Sequence, residues 1–281
     1  MLNYLCRSCG LLGFGLNNDQ KRLVLCIAAE SPDSDDDEET SPPPTGFWAN
    51  VSSFASTFVG GSDKGGLCTQ SLLAVLRAGD WRSVDAGDLH RKMGSLLNRQ
   101  SRRAGVMVRS SVNLQGRNLG SIWRSEDEDR RRALLVGFCY SADLQLRGSW
   151  NDVADMQSWL QSEGLFSSSE IRVVTDRGND EKLTREKILE HLQWLLQGEE
   201  GEEDSEQAFQ LFFHFSGHGD GRQLLPADHQ SGHISEYEIS SMIHDLLPSN
   251  ATLTCVFDCC DSLWMLHSLL RYQSESGTTA S

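Results

Sequence analysis

The sequence predicts an α/β domain built on a mainly parallel central sheet with helices on both faces. Three observations predict it. Several short segments are apolar throughout, among them "RALLVGFCY" (132–140) and "AFQLFFHFSG" (208–217). They alternate with amphipathic segments of helical period, the pattern of β-α-β units whose strands are buried on both faces. Two of the apolar segments also end abruptly in reactive residues, "HFSGHGDG" (214–221) and "VFDCCD" (256–261). Active sites of open α/β sheets form beyond the carboxyl ends of strands.

In chain order, "RLVLCIAAE" (22–30) is a strand too apolar to stand as an isolated edge. The acidic, proline-rich "SPDSDDDEETSPPPTG" (31–46) cannot bury enough apolar area to offset its ordering entropy, so it is expected to be a disordered loop. "LCTQSLLAVLRAG" (67–79) is a helix with Leu67, Leu72, Leu73 and Leu76 largely on one side and Gly79 as its stop. A second helix, 85–100, turns Leu89, Met93, Leu96 and Leu97 inward. Arg-rich patches at 99–103 and 130–132 flank a stretch poor in apolar residues, which suggests a linker over 105–130.

The remainder alternates: a strand at 132–140, then a helix at 151–164 carrying Val153, Met156, Trp159 and Leu160 on one face. A strand at 171–176 precedes a helix at 184–198 that Thr184 N-caps; Lys187 in place of Glu or Gln rules out a full capping box there. A strand at 208–217, a helix at 235–248 and a strand at 252–258 complete the order. The expected organisation is an N-terminal region (1–104), the linker, and a C-terminal region (131–281). The two regions are expected to share one sheet, with 22–30 beside 252–258 on the side away from 132–140.

A net charge of −15 over 281 residues argues against a nucleic-acid partner, which needs clustered Lys and Arg, and is compatible with cationic substrates. No apolar run approaches the ~18 residues of a membrane span. The first residues, "MLNYLCRSCGLLGFGL", lack the layout of a signal peptide, so a cytoplasmic protein without a membrane partner is expected. Eight cysteines are too sparse for a disulfide scaffold, and Cys6 and Cys9 form a CxxC with no second pair to complete a zinc site.

The adjacent thiols Cys259 and Cys260 could be metal ligands, half of a disulfide, core filler, or a nucleophile. Neighbouring side chains in a strand point to opposite faces, so both cannot aim at one site while extended geometry persists. His214 lies within its strand, whereas the glycines at 217, 219 and 221 let His218 leave the sheet at its rim. A cysteine and a distant histidine brought together by the fold make a nucleophile and its base. For Cys26, Cys68, Cys139 and Cys255, all in apolar runs, a packing role is the simpler reading.

The segments "ALLVGF", "LRGSWNDVADMQSWL", "FFHFSGHG", "PADHQSGHI" and "LTCVFDCCDS" resemble, in order, the large-subunit motifs of metacaspases, over about 132–266. The resemblance implies a caspase-like (caspase–hemoglobinase) fold and a monomeric cysteine endopeptidase of the kind linked to programmed cell death. It implies His218 and Cys260 as the dyad, with Cys259 at a position that is often Ser. It also implies cleavage of basic peptides or proteins after Arg or Lys, with Asp152 and Asp258 binding the cation. That fits the need of a desolvated guanidinium for charge-assisted hydrogen bonds to carboxylates. Calcium activation is implied too, with Glu236 and Glu238 as the carboxylates remaining for it.

Departures from the pattern are specific. Relatives mostly read DSCHSG where this chain reads "DCCDSL" (258–263), and the Asp261 charge beside the thiol opposes its ionisation. The loop after "SGHG" is short. Near the N-terminus, the 22–30 strand, the acidic loop and "GGLCTQSLLAVL" resemble the small-subunit region. Small subunit first is the order of type III metacaspases. Two other readings compete: an inactive caspase-like scaffold, and a thiol redox or zinc protein built on Cys6, Cys9 and the Cys259/Cys260 pair.

Overall fold

The computed structural model describes residues 23–30, 65–100, 105–110, 117–123, 130–140, 144–178, 183–197, 208–220 and 222–260. The elements run β1 (Leu23–Glu30), α1 (Leu67–Arg77), α2 (Ala86–Gln100), β2 (Gly105–Ser110), α3 (Leu119–Ile122), β3 (Arg130–Gly137) and α4 (Ser149–Ser162). They continue with β4 (Ile171–Thr175), α5 (Arg185–Gln197), β5 (Phe209–Ser216), β6 (Gly219–Asp220), β7 (Gln223–Leu224), β8 (Ile234–Ser235), α6 (Glu236–Leu246) and β9 (Ala251–Asp258). Six strands form one sheet in the order β2-β1-β9-β5-β3-β4, and every neighbouring pair is parallel except β1 with β2. This is the fold class that the sequence predicts.

Strand alternation divides the core into two layers, one on each face. Leu211, Phe213 and Phe215 of β5 and Leu253, Cys255 and Phe257 of β9 pack against Leu192 and Leu196 of α5 and Ile239 and Ile243 of α6. Their neighbours Phe212 and Val256 face the other way, with Ile27, Ala133 and Leu135. There they meet Leu72 and Leu76 of α1, Leu89 and Met93 of α2, and Val153 and Met156 of α4. Trp81, Trp123 and Trp159 stack within this second layer at centroid distances of 5.6 to 5.7 Å. The Trp123 indole N–H donates to Thr254 Oγ1 at 2.7 Å, tying the cluster to β9.

β1 runs parallel to β9, with Ile27 opposite Val256, and β5 lies on the other flank of β9. The expected linker over 105–130 is corrected. Gly105–Ser110 form β2, antiparallel to β1, and Leu119, Ile122 and Trp123 are buried in the second core layer. The apolar run of β2, "GVMV", is too short for periodicity to register between its Arg-rich flanks, and only its distant partner makes it a strand. The three-stranded sheet of β6, β7 and β8 escaped notice likewise, because two-residue strands carry no pattern. The acidic segment 31–46, Cys6 and Cys9 lie outside the described residues. Among the described residues no helix is long and apolar enough to cross a membrane.

Candidate active site

β3, β5 and β9 end at one level, with Ser216 opposite both Gly137 and Asp258. The Gly217 N–H extends the pairing by donating to the Asp258 carbonyl at 3.2 Å. His218 and Cys260 each follow two residues later, at the ends of these adjacent strands. Gly219 lets them approach: a β-carbon there would collide with the Cys260 carbonyl oxygen and stand 3.1 Å from Cys259 Sγ. The two thiols part company here. Cys259 packs onto the core layer under α5 and α6, whereas Cys260 follows in the turn, half-buried. No disulfide joins Cys68, Cys139, Cys255, Cys259 or Cys260.

His218 is buried, and its Nε2 lies 2.8 Å from the Leu144 carbonyl oxygen. A carbonyl only accepts, so Nε2 carries the hydrogen and Nδ1 keeps its lone pair. Burial holds the imidazole below its ordinary pKa of 6.5, with the Leu144 carbonyl partly opposing. The ring is thus neutral at neutral pH, the form able to accept a thiol proton. His214, two residues earlier, has a different place. It is fully enclosed, its Nε2 meets Thr69 Oγ1 at 2.9 Å, and burial lowers its pKa to about 3. It pins α1 to the sheet.

Asp152, in the first turn of α4, is wholly buried. Its oxygens accept from the Gly66 N–H at 2.9 and 2.8 Å, the Ser216 hydroxyl at 2.8 Å and the Gln70 amide at 3.2 Å. Asp258, at the end of β9, accepts from the Thr69 N–H at 2.8 Å. Burial, then the charge of Asp258, pushes Asp152 up to about 7. Burial likewise raises Asp258, against hydrogen bonds from Thr69 and Cys68. Gly66 stands between the two acids: its N–H serves Asp152, while a β-carbon on it would collide with the Asp258 carboxylate. Gly65, at φ +108°, presses against Asp152 in the same way, in a conformation that glycine alone adopts freely. Among the described residues no guanidinium or ammonium meets either carboxylate. Two like charges with no cation between them make a site that gains from receiving one.

Glu236 and Glu238 are engaged elsewhere. Glu238 closes a capping box at the start of α6, accepting from the Ser235 N–H at 3.0 Å and its hydroxyl at 2.7 Å, and its other oxygen pairs with Arg185. Glu236 pairs with Arg222 at 3.2 Å. Among the described residues no three acidic, histidine or cysteine side chains converge on a metal position. Calcium needs ~6–8 oxygens, so these two glutamates, each already facing a guanidinium, do not fit the ion.

The structure thus sets the strand ends that carry His218 and Cys260 next to each other, gathers Asp152 and Asp258 around Gly66, and, among the described residues, leaves Glu236 and Glu238 out of any metal cluster. Sequence reasoning missed Ser216, Gly66, Thr69 and Gln70. For Ser216 a signal existed, since alternation places it on the same face as His214. For Gly66 and Asp152, 86 positions apart in the chain, there was none.

The family model described as "Metacaspase, peptidase C14 domain" matches residues 131–269. The chain is 31% identical over 165 residues to Metacaspase-1 of Debaryomyces hansenii, covering 52% of this chain and 36% of that protein. It is 31% identical over 167 residues to Metacaspase-2 of Trypanosoma brucei brucei, covering 53% and 46%. Against Metacaspase-1 of Schizosaccharomyces pombe it is 30% identical over 169 residues, covering 54% and 38%. The chain spans less than half the length of each of these relatives.

Proposed function

We propose that this chain, whose residues 131–269 match the metacaspase family model, is a cysteine endopeptidase that cleaves basic peptides or proteins after Arg or Lys. His218 and Cys260 form its dyad, and Asp152 and Asp258 receive the substrate cation. The observation that supports the reading is the register of β5 and β9, in which Ser216 lies opposite Asp258, so that His218 and Cys260 each follow two residues after a paired position.

The neutral His218 imidazole accepts the Cys260 thiol proton at Nδ1, and the thiolate adds to the scissile carbonyl carbon. As the C–N bond breaks, the imidazolium returns that proton to the leaving amine. Water then attacks the thioester, releasing the acid product and restoring the thiol. The pocket positions the bond by charge-assisted hydrogen bonds between the Arg or Lys side chain and the carboxylates of the buried Asp152 and the half-buried Asp258. No step runs through calcium, because Arg222 and Arg185 already face the glutamates that would hold it. Unbridged thiols suit a reducing compartment such as the cytoplasm.

A second reading, an inactive scaffold, draws on Asp261, whose charge follows directly on Cys260 and opposes a thiolate there. Incubating purified protein with an Arg-terminated fluorogenic peptide separates the two. Cleavage by the wild type and by Cys259→Ala, abolished in Cys260→Ala and in His218→Ala, is the expected result. A wild type that cleaves nothing overturns the peptidase reading and leaves the scaffold.

A further inference from the structure

Tyr140 lies just past β3 at φ 54°, a left-handed conformation that few non-glycine residues adopt. Asp176, just past β4, holds it there. The Asp176 carboxylate accepts from the backbone N–H groups of Cys139 at 2.9 Å and Tyr140 at 2.6 Å, and from the Trp150 indole N–H at 2.6 Å. The Tyr140 side chain then reaches across to the rim of β5. Its hydroxyl donates to the Leu225 carbonyl at 2.7 Å and accepts the His218 N–H at 2.9 Å. The His218 carbonyl in turn accepts the Leu225 N–H at 3.1 Å, which closes a ring of three hydrogen bonds. The aromatic ring of Tyr140 lies against the imidazole, with centroids 4.8 Å apart and planes tilted by 40°. Gly217 leaves room for this, since a β-carbon there would stand 2.8 Å from the Tyr140 hydroxyl oxygen.

Such a clamp is needed because His218 sits between Gly217 and Gly219, where the backbone itself imposes little. The Leu144 carbonyl holds the imidazole at Nε2 alone, and a ring held at one atom can pivot about that bond. A general base must keep its accepting nitrogen within hydrogen-bond reach of the proton it takes. We propose that Tyr140 is the positioning residue of His218, fixing its backbone through the hydroxyl and its imidazole plane through the ring, with Asp176 fixing Tyr140 in turn. Burial raises the Tyr140 phenol well above its usual 10, so the hydroxyl remains a donor to Leu225 at any working pH. The assignment rests on His218 being the general base.

The test compares wild type, Tyr140→Phe and Tyr140→Leu, by kinetics on an Arg-terminated peptide and by amide hydrogen exchange. Tyr140→Phe keeps the ring and loses the hydroxyl. It lowers kcat by about tenfold with KM nearly unchanged, and Tyr140→Leu, lacking the ring as well, loses about tenfold more. In Tyr140→Phe the His218 amide exchanges at least ~10-fold faster, while the amides of Leu211 and Phe213 within β5 keep their rates. A wild-type kcat in Tyr140→Phe overturns the proposal, as does faster exchange spread evenly along β5, the mark of general loosening. Should the wild type cut no Arg or Lys peptide, the peptidase reading fails separately and exchange alone decides the clamp. Acceleration confined to His218 upholds it, and an unchanged His218 rate refutes it.

Discussion

Ser216 stands opposite Asp258 at the ends of β5 and β9, and its hydroxyl donates to Asp152 at 2.8 Å. A single register thereby joins both halves of the site. Below it, the two acids lie on the α1 and α4 face of the sheet. Above it, the same pairing carries His218 and Cys260 out of the sheet together. A slip of one residue between these strands would turn every side chain to the wrong face.

Removing either acid should be costly for charged substrates. Asp152→Ala or Asp258→Ala leaves the incoming cation poorly paired in a buried pocket, at about 2–5 kcal/mol, or roughly 30- to several thousand-fold in kcat/KM. Steady-state kinetics on Arg peptides checks this. Normal Arg cleavage by both variants would move the pocket elsewhere.

The carboxylate pair also sets a pH dependence. Asp152 sits at about 7 through burial and the neighbouring Asp258, and a cation binds the charged form, so KM for Arg peptides should rise as pH falls through that value. Folding responds in the opposite direction. The folded pKa lies above the ordinary carboxylate value of 3.8, so the contribution to stability is complete below about 4 and is lost as pH rises through about 7. Wild-type Tm should therefore fall by about 3 °C or more between about pH 5 and 8, and Asp152→Asn should lose less. Parallel thermal scans of the two proteins read this directly.

The N-terminal third supplies both a strand and the donors on the acids. β1 pairs along β9, Gly66 serves Asp152, and Thr69 serves Asp258. A fragment beginning at residue 117 loses all three and exposes the β9 edge, so it should aggregate and be inactive. Residues 1–111 and 112–281 expressed together should reassociate and recover activity, since β1 pairs along β9 and α1 and α2 share a buried apolar core with α4. Gel filtration with a peptidase assay follows both. A soluble, active C-terminal fragment would make the first third an appendage.

Arg222 and Arg185 stand where an added cation would be needed, so activity should be the same in excess chelator and in excess calcium. Arg222→Ala removes the guanidinium from Glu236 and is the variant expected to gain a calcium response, if only a weak one. Strong calcium stimulation of the wild type would show that the glutamates rearrange to bind it.

Much of this was legible in the sequence, for reasons that particular residues make plain. The unbroken apolar runs of β3, β5 and β9 announce strands covered on both faces, and Leu72, Leu76, Val153 and Met156 mark the helix faces that cover them. The ends of β5 and β9 were legible as a candidate site because glycines and a charged break mark them, whereas the choice of Cys260 over Cys259 rests on the family resemblance alone. What stayed hidden depends on long-range pairing. β2 is a strand only because β1 lies beside it, and Gly66 matters only because Asp152 and Asp258 flank it. Glu238 carries two meanings in the sequence: the Ser-x-x-Glu spacing that offers a carboxylate to a metal also builds the capping box seen at the start of α6.

The most direct test of the dyad and pocket together is covalent labelling with a peptide chloromethyl ketone ending in Arg, mapped by mass spectrometry. The account predicts one adduct, on Cys260, which disappears in His218→Ala and is strongly reduced in Asp152→Ala. Labelling of Cys259 instead, or equal labelling of Cys260 with and without His218, would contradict it.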